Sequence, residues 1–588
     1  MYEPGIDCSK TCSLVDEPQP NGATSCGNGQ VPLNETPGLS PRQVFRYYFK
    51  NVADVPASDN VPGHLVALAN AIAEPCADDN DSDIPPLFTY LGQFIDHDIT
   101  ANTDREQIDP AGDRFNIDRI DVAPQPRDAV EQFKINLRKG RLELDSVYGD
   151  GPGQRPEAMR LEAALRDPND PAKMRLGDVT PLPTEFGFER PPLPIDQGAD
   201  LPRVGAAIDD RSLTMAEVEE LFDDPDHPKS VRELRQMALI GDCRNDENLI
   251  VAQLHLAFLR FHNAVVDQLR ANGHGAAEAD DVFAETSRQV TWIYQWLVVN
   301  SFLPTVCGPA VVTQVVNDRA PVYARFYDTH KNGCPDGVRP MPLEFSVAAI
   351  RYGHTMVRAT YDYNRNFGRG SSVTGNDRAS FEQIFQFAGR GELGGAATLP
   401  DNWIIEWDRF IQEAQNPSDR KARKIDTRLA LPLQSMRNEK PGMTGLLAHL
   451  AARNLRRGYV FNIPDAQAII QDLADQGIDV GQPLAPDEIA NDERQSISEV
   501  FDKSDFGERT PLWFYLLKEA EARGSGDHLG PLGSRIVAET LLGLIVTDPA
   551  SYINQGTFAS WTPSDGVQPA GEPVDNFAAF FRAGGLLA

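Results

Sequence analysis

The segment 246–271 constrains the fold most. Leu249, Ile250, Leu254, Leu256, Phe258, Leu259, Phe261, Val265, Val266 and Leu269 cover most sides of the helix that this spacing predicts. A helix that is apolar nearly all round belongs inside a large core, not on a surface. Asn245 is placed to cap its start, and Asn272-Gly273 to end it. A chain of 588 residues can bury such a core. No run of 18 apolar residues occurs, so no transmembrane helix is expected.

Further helical patterns lie at 41–51, 64–74, 85–100, 214–222, 230–237, 282–303, 342–358, 381–387, 445–457, 510–523 and 534–547. Strand patterns are few and short, and 142–149 reads as a strand or a loop. The Pro-rich stretch 168–202 reads as a surface wrap. Residues 1–40, rich in Gly, Pro, Asn and Cys, read as an irregular extension. No clear linker follows residue 40. The expected class is mainly α, with residues 41–588 as a single large helical domain with few short strands and long wrapping loops.

Charge and cysteine content narrow the partners. With 55 Lys+Arg against 86 Asp+Glu, the net charge is −31. That argues against nucleic acid and anionic membranes as partners. The first residues, MYEPGIDCSKTCSLVDEPQPNG, have neither a basic n-region nor an apolar h-region, so no Sec signal is read there. Seven cysteines are an odd number, so at least one is unpaired within the chain, and no disulfide framework is implied.

Four stretches carry chemistry. In 85–100, PPLFTYLGQFIDHDIT, Gln93 and His97 lie one helical turn apart, with Asp96 beside them. Asp98 points about 100° away from His97. The cluster offers an imidazole, an amide and a carboxylate to one partner; a solvent-facing polar side is the plain alternative. GDCRNDEN, 241–248, puts Arg244 before the central helix and Glu247 at its mouth, where acidic residues also suit a helix dipole. FSVAAIRYGHTMVR, 345–358, sets Arg351 and His354 three apart, with Gly353 beside the imidazole. Gly within a helix costs about 1 kcal/mol. Either a planar cofactor or a tightly crossing helix would account for it. LLAHLAARNLRRG, 446–458, carries Asn454 in an apolar helix, where it could hold the N–H of an imidazole or simply face solvent.

DHD in GQFIDHDIT, GDCRNDEN before LHLAFLRFHN, RYGHT and RNLRRG, in that order, resemble the animal-type haem peroxidases of the peroxidase–cyclooxygenase superfamily, most of all bacterial members. TPLWFYLLKEAE and HLGPLGSRIVAETLLGLIVTDPASYI add to the likeness, which covers roughly 41–560. The resemblance implies an enzyme that reduces hydrogen peroxide through a ferryl intermediate on haem b. Such enzymes then oxidise small one-electron donors, halides or thiocyanate. It also implies an extracellular setting and a part in the response to oxidative stress.

By the same resemblance, His97 matches the distal histidine, Arg244 the distal arginine and Gln93 the distal glutamine. His354 matches the axial ligand to the haem iron, Asn454 its hydrogen-bond partner, and Arg351 a propionate contact. Asp96 and Glu247 match the carboxylates that form ester links to haem in mammalian members. The methionine that makes a sulfonium link in some of them is Asn248 here, so that bond is expected to be absent and chloride is a poor candidate substrate. Asp98 matches a calcium aspartate, and Glu143 and Asp145 fall in the partner loop KGRLELDSVYG, 139–149. Lys139 stands where the family has a threonine, and its ammonium is expected to replace calcium by pairing with Asp98, Glu143 or Asp145. Fatty-acid dioxygenases of the superfamily carry a tyrosine three residues before the ligand histidine; here that residue is Arg351. A catalytically degenerate adhesion or matrix protein is the rival outside enzymes, and the set His97, Arg244 and His354 speaks against it. His255 and His262 are read as packing or hydrogen-bonding residues.

Overall fold

The apolar spacing at 246–271 forms a helix in the middle of the core: 16 of the 21 residues of Leu249–Leu269 are buried. This is seen in a computed structural model that describes residues 45–587, apart from 74–80, 102–114, 150–155, 183–187, 191–197, 223–227, 275–277, 369–377, 412–420, 437–444 and the single residues 120, 137, 189 and 336. The extension read at 1–40, and Cys8, Cys12, Cys26 and Cys76, lie outside the described residues. The elements that position the site are α1 (Val61–Ile72), α2 (Leu87–Ile99), α3 (Leu249–Leu269), α4 (Ala279–Leu297), α5 (Leu343–Val347), α6 (Leu450–Val460), α7 (Leu512–Gly524) and α8 (Pro531–Val546).

Helix α2 follows Pro85 and Pro86, whose missing N–H groups cost nothing at a helix start. Leu87, Leu91, Phe94, Ile95 and Ile99 are fully buried, each burial contributing about 1.5–3 kcal/mol. Phe94 stacks on Phe258 of α3 at 4.8 Å, which locks α2 against the central helix. α3 also packs along α4, while α6 packs on α1 and α7, and α7 on α8. Helix 249–273 is the one described helix long and apolar enough to cross a membrane, and it is buried inside the fold.

Three readings change in the structure. The helix expected at 41–51 is, in its described part, a short strand, β1 (Phe45–Arg46), that runs into a turn. Phe45, Tyr47 and Phe49 alternate into the core, a period of two rather than 3.6. β1 pairs in parallel with the strand Met341–Pro342, nearly 300 residues on. The 142–149 stretch ends in a helical turn, Asp145–Tyr148. The helix expected at 342–358 breaks at Ala348, leaving α5 and a 3-10 segment, Ala349–Met356. In a 3-10 helix residues three apart eclipse, so Arg351 and His354 line up more closely than an α-helix would allow. Trp513 of α7 donates its indole N–H to the Arg351 carbonyl at 3.1 Å and pins this segment.

Candidate active site

Two 3-10 segments meet α2 at the site. The 3-10 turn Cys243–Asp246 presents Arg244 and Asn245 to it, and the 3-10 segment Ala349–Met356 packs along it. His97 is 6% exposed, and its Nδ1–H donates to Asn245 Oδ1 at 2.8 Å. The Asn245 amide N–H in turn donates to Nδ1 of His255 on α3 at 2.9 Å. Nδ1 of His97 is thus committed to Asn245, and Nε2 is the basic nitrogen. Burial, with Arg244 nearby, holds the His97 pKa down to about 3, so the ring is neutral near pH 7. Burial likewise holds His255 down to about 3.

Arg244 is held from two sides. Its NH2 group donates to the His97 carbonyl at 2.7 Å and to Asp242 Oδ2 at 2.6 Å. Asp242 is fully buried and also pairs with Arg138. The two guanidinium groups outweigh the burial cost and hold its carboxyl well below the usual range. Gln93 accepts from the amide of Asn248 at 3.2 Å, and Asn248 Oδ1 accepts from the Val251 N–H at 3.0 Å. Asn248, not Asn245, is therefore the cap of α3. Cys243, beside Arg244, is disulfide-bonded, whereas Cys307 and Cys334 are free.

Asp96 Oδ1 accepts from the Thr100 hydroxyl at 2.6 Å, and Oδ2 lies 3.3 Å from Arg351 NH1. The expected ester carboxylate and the expected propionate arginine therefore touch each other. Glu247 is half-buried at the mouth of α3. The Asn454 amide faces Nδ1 of His354 at 2.9 Å through its nitrogen, and its Oδ1 is buried without a partner. A half-turn of the amide exchanges the two atoms, and the His354 Nδ1–H then donates to Oδ1. A Cβ added at Gly353 would meet no heavy atom within 4 Å. Among the described residues nothing crowds that position, which speaks against a tightly crossing helix as the reason for this glycine. A half-buried imidazole with an amide behind it and open space beside it fits a haem ligand.

The cation loop differs. Lys139 Nζ lies 3.1 Å from Glu143 Oε1 and 3.3 Å from Asp145 Oδ1. Arg141 adds a second cation, 2.8 Å from Glu143 Oε2. Asp98, fully buried, accepts from the backbone N–H groups of Leu144 and Ser146 at 3.2 and 3.3 Å. Burial, then Asp145, pushes the Asp98 pKa up to about 8. Calcium draws oxygen ligands to about 2.3–2.6 Å. An ammonium already seated between two of the candidate ligands does not fit that ion.

Residues 211–396 match the family model of the animal haem peroxidase. That stretch of the chain is similar to an animal haem peroxidase. The matched residues include Arg244, Glu247, Arg351 and His354, whereas α2 with His97 lies before them. A peroxidase-like protein of Margaritifera margaritifera is 27% identical over 341 residues, 55% of this chain and 38% of that protein. The chain therefore spans less than half the length of this curated relative. Peroxidase A of Dictyostelium discoideum superposes with a TM-score of 0.57 at 17% identity, covering 93% of this chain and 94% of that one. A fatty acid alpha-dioxygenase variant of Oryza sativa, solved with palmitic acid, gives 0.54 at 13%, covering 92% and 81%. These structures share the all-helical peroxidase fold. The relatives named here leave the expected likeness to bacterial members unaddressed.

Sequence reasoning missed Asn245, Asp242 and Asn248 as parts of the cluster. An asparagine before a helix reads as a cap, and an aspartate beside an arginine reads as a surface pair. The signal available was their crowding into GDCRNDEN beside a second buried histidine, His255.

Proposed function

We propose that the chain is a haem peroxidase that reduces hydrogen peroxide and oxidises small one-electron donors, or iodide, bromide or thiocyanate. Residues 41–588 then act as one catalytic domain, with 1–40 as an appendage. The observation that supports it best is the pairing of a neutral, tautomer-fixed His97 with an Arg244 locked by Asp242. His354 would hold the haem iron, and Asn454 would accept its Nδ1–H and make it a stronger donor. Haem, when bound, supplies the redox chemistry.

The chain's own groups handle protons and charge. His97 Nε2 takes a proton from the peroxide oxygen nearest it and returns it to the oxygen that leaves as water. Its neutral state near pH 7 is what this step needs. Arg244 places a fixed positive charge where negative charge develops as the O–O bond breaks. Gln93, anchored by Asn248, orients the small molecule between them. Asp96 and Glu247 are the proposed ester sites. Forming that link at Asp96 would release Arg351 from it to bind a propionate.

In the cation loop we propose that Lys139 stands in for the metal, so that Asp98, Glu143 and Asp145 bind no calcium. The dioxygenase reading is weaker, because Arg351 occupies the position where that chemistry needs a tyrosine. The test is a titration of the full chain with haem. The expected result is one haem per chain with a Soret band, lost in His354→Ala. A colourless chain, or unchanged binding in that variant, would overturn the reading and favour a catalytically degenerate scaffold.

A further inference from the structure

Asn245 is fully buried between two histidines carried by different helices. Its Oδ1 lies 2.8 Å from Nδ1 of His97 on α2, and its Nδ2 lies 2.9 Å from Nδ1 of His255 on α3. His255 is fully buried as well. Its ring packs against Phe94, with centroids 6.2 Å apart and planes at 70°. The Asn245 backbone is held by its own turn, where its N–H donates to the Asp242 carbonyl at 3.0 Å. The amide can still turn over about its last bond, because that torsion has two roughly equivalent settings.

Burial keeps both imidazoles neutral near pH 7, so each carries a single N–H. The two amide settings then impose opposite tautomers. With Oδ1 toward His97, that ring carries its proton on Nδ1 and leaves Nε2 bare. His255 then accepts an amide N–H at Nδ1 and carries its own proton on Nε2. With the amide turned over, both rings exchange tautomers together, and His97 holds its proton on Nε2, where it can accept no other. An imidazole with no partner prefers its proton on Nε2. The setting that leaves Nε2 bare is therefore one that His97 alone would not choose. His255, with its own proton on Nε2, presents a bare Nδ1 that calls for the amide N–H. The structure holds the setting that His255 favours, with the oxygen toward His97.

We propose that His255 is a positioning residue: through the Asn245 amide it fixes the proton of His97 on Nδ1 and so leaves Nε2 bare to act as the base. The work that Nε2 does rests on the peroxidase reading, whereas the tautomer is a property of the chain itself. No proton passes along Asn245. When His97 takes the peroxide proton at Nε2 both of its nitrogens are protonated, and Nδ1–H goes on donating to Asn245 Oδ1. When that proton leaves with the water, the ring returns to the tautomer it started from.

The tautomers are read by nitrogen NMR of the full chain carrying isotope-labelled histidine, before haem is added. The peaks are assigned by their loss in His97→Gln and His255→Gln. The expected wild-type result is a proton on Nδ1 of His97 and on Nε2 of His255. The reverse pair, or a mixture at both rings, would overturn the proposal. In His255→Phe, which keeps a ring in the core, the His97 proton is expected to move to Nε2. The haem-loaded variant should then react with peroxide about 2–10-fold more slowly, the worth of one neutral hydrogen bond. Adding Asn245→Asp to that variant should return the proton to Nδ1 and restore the rate, because a carboxylate has no N–H to turn toward His97. A merely structural role for His255 would not be rescued in this way. A His97 proton that stays on Nδ1 in His255→Phe, or a double variant that keeps it on Nε2, would overturn the role of His255. A chain with the expected tautomers that binds no haem, or does not react with peroxide once loaded, would instead fail the peroxidase reading.

Discussion

Two regions of α2, one residue apart, met different fates. At His97 the chain keeps a full set of groups: His97 on Asn245, Arg244 on Asp242, Gln93 on Asn248. At Asp98, pointing the other way, an oxygen-rich loop holds Lys139 between Glu143 and Asp145. In the function proposed above, the first region holds its charges for a group that the chain does not itself supply. The second balances its charges internally. A buried carboxylate needs a cation or hydrogen bonds, and a lysine delivers the cation covalently attached.

The comparison breaks first at His97. His97→Ala is expected to slow the reaction of the haem-loaded chain with peroxide by about 10²–10⁴-fold, the usual worth of a positioned base. Stopped-flow absorbance measures this, and an unchanged rate would place the base elsewhere. Asp242→Asn is expected to cost less, part of the roughly 10²–10³-fold that a preorganised charge provides, because Arg244 stays but loses its anchor. It should lower the peroxide rate while leaving the Soret position unchanged.

Much of this was legible in the sequence. The 3.6-residue spacing of α2 and α3 showed both helices, and the Gln93–His97 and Arg351–His354 intervals showed two faces. The rest depends on distant partners. Two-residue strands such as Phe45–Arg46 carry too short a pattern to read, and their pairing is set by residues nearly 300 positions away. Asn245 satisfies the local rule for a cap, yet the 3-10 turn before α3 turns it toward His97 and leaves Asn248 to do the capping.

The second region sharpens the comparison. Lys139→Met leaves Glu143 and Asp145 short of a cation and is expected to cost about 1–3 kcal/mol in stability, read by urea unfolding. Adding EGTA to the wild type should leave its unfolding midpoint in place, and a fall would mean that a metal shares the loop. The smallest effect is on pH. A buried histidine with a lowered pKa loses function as pH falls through that value, here about 3 for His97. The peroxide rate should therefore stay level from pH 5 to 8. An acid limb centred near pH 6.5, the ordinary histidine value, would show that His97 is not held neutral.

One measurement reaches both regions at once: elemental analysis of the haem-reconstituted chain after gel filtration. The account predicts one iron and no calcium per chain. Tightly held calcium would contradict the role given to Lys139, and a chain without iron would contradict the role given to His354.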